Sequence, residues 1–111
     1  MSRKRVAVLI SGRGSNMAAL IEAAKDKNYP AEIVLVVSNV QDASGLDVAR
    51  AAGILTHVID HKLFGKDRAA FERALQDALK NHRIDIVCLA GFMRLLSADF
   101  VNRWQIGRAH V

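Results

Sequence analysis

The sequence predicts an α/β fold: a parallel sheet of strand order 3-2-1-4 with helices on both faces. Three observations predict it. Short, continuously apolar runs at residues 6–10 and 33–37 read as strands buried on both faces. Elsewhere apolar residues recur at helical spacing. The two kinds of segment alternate as βαβαβαβ with a final helix, the pattern of a parallel sheet with crossover helices.

The first strand is Val6-Ala7-Val8-Leu9-Ile10, followed by a Gly-rich turn. Met17, Leu20, Ile21 and Ala24 then define a helix expected to end near Lys27, where Asn28 to Pro30 break the pattern. Ile33-Val34-Leu35-Val36-Val37 is a second strand, and residues 38–44 form a polar loop. Leu46, Val48, Ala49 and Ala52 form a short second helix closed by Gly53 as a left-handed cap. A third, more weakly patterned strand runs from Thr56 to Ile59. Residues 67–81 are the clearest helix: Phe71, Ala74, Leu75, Ala78 and Leu79 share one face and charges occupy the other. A fourth strand spans residues 84–89, interrupted by Asp85. Gly91 opens a loop, and Ser97 is expected to cap a last short helix reaching about Trp104. No repeat, low-complexity tract or linker divides the chain, so one domain or part of one is expected.

The composition narrows the function. Half of the 111 residues are apolar (51%) and a quarter charged (24%), as in soluble globular proteins. The net charge of +5 suits an anionic ligand. The basic residues are scattered, with no aromatic interleaving, so nucleic-acid binding is not expected. The single cysteine, Cys88, forbids an internal disulfide and a zinc-finger spacing, and it fits a reducing compartment. It falls within a buried strand and reads as an inert small hydrophobe. The basic residues 3–5 precede an apolar run too short for a signal peptide. No stretch approaches the roughly 20 apolar residues of a membrane span. A cytoplasmic protein with no bound metal is the expectation.

Two loops carry the chemistry. Ser11-Gly12-Arg13-Gly14-Ser15-Asn16 lies between the first strand and the first helix. Bare backbone amides at the positive end of a helix bind phosphate, and Gly12 and Gly14 allow close approach. The dinucleotide fingerprint fails: its third glycine is Met17, and Ser38-Asn39 stands where a ribose-binding acid belongs. The Gly-Lys-Ser/Thr ending of a P-loop is also missing. A mononucleotide or sugar phosphate remains, against the plainer possibility that Ser15 or Asn16 merely caps the helix. The second loop, Leu89 to Leu96, follows the fourth strand. In a sheet of order 3-2-1-4, strands one and four are neighbours where the chain direction switches, and the crevice at their carboxyl ends is the usual ligand site. Phe92, Met93, Leu95 and Leu96 either line a pocket for a flat ring, with Arg94 near an anion, or pack beneath the final helix.

Three stretches, in order and at matching spacing, resemble phosphoribosylglycinamide formyltransferases. They are residues 8–16, the set Ser38-Asn39, Ala43, Gly45-Leu46, Ala49 and Gly53-Ile54, and residues 89–97. The resemblance covers residues 5 to about 105. It implies a Rossmann-like formyltransferase topology and formyl transfer from 10-formyltetrahydrofolate to the amine of 5-phosphoribosylglycinamide, a step of purine biosynthesis. It implies that Gly14, Ser15 and Asn16 hold the substrate phosphate. It also implies that Arg68, Met93, Arg94, Leu95 and Leu96 contact the folate. The stretch from Phe64 to Phe71 is one residue longer than the family pattern, so Lys66 competes with Arg68.

The family's Asn-x-His-Pro-Ser segment and later Asp, which would polarise the formyl oxygen and shuttle a proton, have no counterpart after Trp104. His110 lacks the Asn before it and the Pro after it. His57 and His61 read as structural or solvated, and His82 as a cation suited to a helix end. No catalytic residue is therefore assigned. Residues 1–105 read as the substrate-binding front of a formyltransferase domain, truncated after the fourth strand and a short helix, and 106–111 as a non-matching tail. Such a sheet would expose its fourth strand as an edge, giving marginal stability or self-association. Two rivals stand beside this reading. One is a non-catalytic phosphoribosyl or nucleotide-binding module. The other is a different folate-dependent formyl enzyme, such as a transfer-RNA formyltransferase or a deformylase, whose substrates present no equivalent terminal phosphate to the loop.

Overall fold

The structure, a computed structural model, describes residues 3–93 and 96–108, with the backbone alone described at 105–108. Strands β1 (Lys4–Ile10), β2 (Ala31–Ser38), β3 (Leu55–Val58), β4 (Ile86–Leu89) and β5 (Gln105–Arg108) form one sheet of order β3-β2-β1-β4-β5. Every neighbouring pair is parallel. The helices are α1 (Ser15–Ala24), α2 (Gly45–Ala51), α3 (Arg68–Asn81) and α4 (Ala98–Arg103). The predicted order 3-2-1-4 is found, with one strand more than the sequence reading allowed. The edge expected at the fourth strand is corrected: β5 lies there, pairing Gln105 with Ile86 through to Arg108 with Leu89.

Alternation along β1 builds two cores. Val6, Val8 and Ile10 face Met17, Ile21 and Ala24 of α1 and Leu46 and Ala49 of α2. Ala7 and Leu9 face Phe71, Leu75, Ala78 and Leu79 of α3 and Phe100 of α4. The continuous apolar run of β1 follows from this two-sided burial. A bulge in the β1–β2 pairing, between Val6 and Ala7, breaks strict alternation in β2. β3 is the opposite edge, and Leu55 there is 61% exposed, which accounts for its weak patterning.

Several boundaries differ from expectation for local reasons. α1 stops at Ala24 rather than near Lys27. Lys25 and Asp26 donate to carbonyls three residues back, and the Asp26 carboxylate then accepts from the Asn28 amide in a turn. β4 starts at Ile86 rather than at residue 84, because the Asp85 carboxylate takes the Arg5 amide at 2.8 Å. The Arg5 guanidinium also donates to the His82 carbonyl, binding the start of β1 to the end of α3. The cap at Gly53 is left-handed as expected, with φ 76°. Ser97 Oγ caps α4 by accepting from the Phe100 amide. A 3-10 turn at His61–Leu63, which no periodicity announces, joins β3 to α3.

Candidate functional site

β1 and β4 are hydrogen-bonded neighbours, and both loops leave their carboxyl ends. Gly12, Arg13, Gly14, Ser15 and Asn16 from one loop, with Ala90 and Gly91 from the other, line a cleft of about 180 Å³. Gly14 has φ 69° and stands as the N-cap of α1, and no side chain hydrogen-bonds the helix start. The capping role weighed for Ser15 or Asn16 is therefore not found. The first amides of α1 remain available beside the positive end of the helix, in the cleft.

The loop is braced from behind by a residue that sequence reading did not single out for this role. The Gly45 amide, opening α2, donates to the Gly12 carbonyl at 3.0 Å. A Cβ built on Gly45 would meet Ile10 Cδ1 at 2.7 Å, the Gly12 oxygen at 3.0 Å and the Arg13 oxygen at 3.1 Å. A Cβ on Gly14 would in turn lie 3.2 Å from the Gly45 Cα. The two backbones pack at a distance that a side chain at either glycine would disrupt.

A chain of hydrogen bonds joins the loops. The Met93 amide donates to Ser11 Oγ at 2.9 Å, and Ser11 Oγ donates to Asn39 Oδ1 at 2.5 Å. Asn39 is 2% exposed at the end of β2, and its own amide donates to the Ile10 carbonyl. Its carbonyl accepts from the His61 amide, and His61 Nδ1 lies 2.9 Å from the same oxygen.

The second loop divides its apolar side chains. Phe92 and Leu96 are half-buried against the α3 side of the core. Met93 is 80% exposed. Arg94 and Leu95 lie outside the described residues. Arg68, the first residue of α3, lies in a separate and larger cleft of about 540 Å³ between α3 and α4, with Arg73, Ser97 and Arg103. Lys66 does not line that cleft; its carbonyl accepts the Arg68 amide. Glu72 takes both the amide and the hydroxyl of Ser97 at 2.6 Å, fixing the end of the second loop to α3.

The histidines have other partners or stand in solvent. His57 is exposed on β3, and His82 Nδ1 donates to the Ala78 carbonyl at 2.8 Å at the end of α3. His110 lies outside the described residues. Burial pushes the Cys88 thiol pKa above its ordinary value. Among the described residues no cluster of His, Cys, Asp or Glu could hold a metal ion, and no helix is long and apolar enough to cross a membrane.

Known proteins resemble this chain in sequence and in fold. The sequence pattern of the family described as Formyl transferase matches residues 4–109. The Bos taurus trifunctional purine biosynthetic protein adenosine-3 is 54% identical over 103 residues, covering 93% of this chain and 10% of that protein. The phosphoribosylglycinamide formyltransferase of Escherichia coli (strain K12) is 43% identical over 99 residues, covering 89% of this chain and 46% of that protein. The crystal structure of phosphoribosylglycinamide formyltransferase from Brucella melitensis superposes with a TM-score of 0.90 at 48% identity, over 95% of this chain and 55% of that one. The chain thus spans a tenth of its trifunctional relative and about half of the bacterial ones. With two loops converging on the carboxyl ends of adjacent strands, and a family match running almost from end to end, the chain belongs to the formyl transferase family.

Proposed function

We propose that this chain supplies the phosphate cradle and part of the folate wall for formyl transfer from 10-formyltetrahydrofolate to the amine of 5-phosphoribosylglycinamide. The observation that carries this reading is the cleft at the ends of β1 and β4, lined by both loops and opening onto the uncapped start of α1. Gly14, Ser15 and Asn16 hold the phosphate there. Their amides stand at the start of α1, where the helix dipole stabilises negative charge. The Ser15 hydroxyl and Asn16 amide add donors.

The folate lies against the second loop. Met93 offers an exposed apolar surface unusual for solvent contact, which fits a flat ring better than water. By the family resemblance Arg94, Leu95 and Leu96 contact the folate too, Leu96 in addition to its packing on the α3 side of the core. Arg68 reaches the same co-substrate from the start of α3; its position in a cleft with Ser97, one residue past Leu96, favours it over Lys66. The chemistry that this placement serves is attack of the substrate amine on the formyl carbon. The C–N bond to the folate breaks, the amine loses a proton and the folate nitrogen gains one. Holding both partners in reach is the chain's contribution. The acid–base groups are not assigned to it, and the 111 residues alone are expected to give no turnover.

Calorimetric titration with 5-phosphoribosylglycinamide, 5-formyltetrahydrofolate as a stable folate, and nucleotides tests the proposal. It predicts binding of the phosphoribosyl compound, competed by inorganic phosphate, and binding of the folate that inorganic phosphate does not compete. Tight nucleotide binding with no folate binding would instead identify a nucleotide-sensing module.

A further inference from the structure

We propose that Ser11 is a positioning residue that couples the two ligand loops, so that filling the phosphate cradle sets the position of the folate-side loop. The inference rests on the functional reading above and adds a specific mechanical link to it.

The geometry leaves the Ser11 hydroxyl one orientation. The Met93 N–H can only donate, so Ser11 Oγ accepts there, at 2.9 Å. Asn39 Oδ1 can only accept, so the single hydroxyl proton goes to it, at 2.5 Å. Asn39 cannot yield easily. It is buried, its amide is bonded to Ile10, and its carbonyl is bonded to His61. Ser11 therefore links a fixed point just past the end of β2 to a backbone amide 82 residues away. On its other side Ser11 is covalently joined to Gly12, whose carbonyl is held by Gly45 and whose own backbone lines the cleft. A ligand that draws the amides of Gly14, Ser15 and Asn16 inward moves the same short segment. The hydrogen bond from the Met93 amide to Ser11 Oγ, which joins the two loops, then carries that movement to Met93.

Two features separate this from ordinary loop packing. The link is made through a backbone amide of the second loop, so it positions the loop whatever side chain stands at Met93. It also stands in front of a buried base, Asn39, which keeps the Ser11 hydroxyl in one orientation so that its oxygen faces the Met93 amide. Coupling of this kind is reciprocal: a folate that orders Met93 also favours the cradle in its binding shape.

The test is nuclear magnetic resonance on the 15N-labelled chain, with ribose 5-phosphate as probe. In the wild type the amides of Gly14, Ser15 and Asn16 and the amide of Met93 are expected to shift together, with one midpoint. In Ser11→Ala the cradle amides still shift, the Met93 response falls several-fold, and exchange of the Met93 amide with water rises about tenfold, the loss of one hydrogen bond. Ser11→Thr, which keeps the hydroxyl, restores both. A Met93 amide that exchanges equally fast in wild type and Ser11→Ala, or that responds equally to the probe in both, overturns the Ser11 link while leaving the cradle intact. No shift at Gly14, Ser15 or Asn16 in the wild type overturns the functional reading and the coupling with it.

Discussion

Gly45→Ala is the most informative single change, because it adds one methyl group behind the cradle and touches no ligand. The added Cβ would stand 2.7 Å from Ile10 Cδ1, 3.0 Å from the Gly12 oxygen and 3.1 Å from the Arg13 oxygen. Ile10 is fully buried, so its terminal carbon has little room to turn away. The two carbonyls belong to the backbone, so the loop itself must shift by a few tenths of an ångström. Overpacking of this kind costs about 1–3 kcal/mol. Alanine in place of glycine in a helix returns at most about 1 kcal/mol, and less at the first position of α2. The net expectation is a loss of about 1–2 kcal/mol of stability, accompanied by roughly tenfold weaker phosphate binding as the cradle amides move out of line. Denaturant unfolding followed by the fluorescence of Trp104, the single tryptophan, measures the first quantity. Titration with a phosphoribosyl compound measures the second. A Gly45→Ala chain as stable as wild type, with unchanged affinity, would show that the loop is not wedged against α2 and would refute this reasoning.

Four further outcomes follow from the same geometry. Gly53→Ala meets no atom within 4 Å but forces a side chain to φ 76°, so it should cost about 1 kcal/mol and leave phosphate binding unchanged, a control that separates stability from cradle shape. Ser97→Ala removes the cap of α4 and a partner of Glu72, and unfolding should register a loss of about 1–2 kcal/mol. Phe71→Ala empties the α3 side of the core; a loss of about 3–5 kcal/mol should leave the chain largely unfolded by circular dichroism. Because burial raises the Cys88 thiol pKa, the native state keeps its proton to higher pH than the unfolded chain does. That contribution to stability is present below the ordinary thiol range and is lost as pH rises through the folded pKa, and alkylation by iodoacetamide should lag behind a small free thiol at mildly alkaline pH.

The fold was legible where burial imposes a strong pattern. β1, buried on both faces, and α3, with a clean apolar stripe, read directly from residue order. The order β3-β2-β1-β4 followed from alternation of strands and helices together with the switch-point rule. What escaped was set by tertiary contact. β5 has four residues and exists by pairing with β4, so nothing local marks Gln105 to Arg108 as a strand. The end of α1 was decided by an Asp26 side chain competing for backbone amides, and the start of β4 by Asp85 reaching Arg5, 80 residues away. At the cleft, the glycine spacing marked the turn after β1, and the unusual loop after β4 marked the residues that line its other side. Gly45 and Asn39 support that site from other elements, and a residue that acts by closeness to a loop more than 20 positions away leaves no periodic signal. The split in the second loop, Phe92 and Leu96 to the core and Met93 outward, is likewise a product of packing that apolar character alone cannot sort.

The central claim is that the turn from Gly12 to Asn16 holds a phosphate through its backbone. The most direct measurement compares amide shifts of the labelled chain with 5-phosphoribosylglycinamide and with the same molecule lacking its phosphate. The account predicts saturable shifts concentrated at Gly12, Gly14, Ser15 and Asn16 for the first, and at least about a tenfold loss of affinity for the second, the scale of charge-assisted hydrogen bonds. Equal affinity for both molecules, or shifts centred away from that turn, would contradict it.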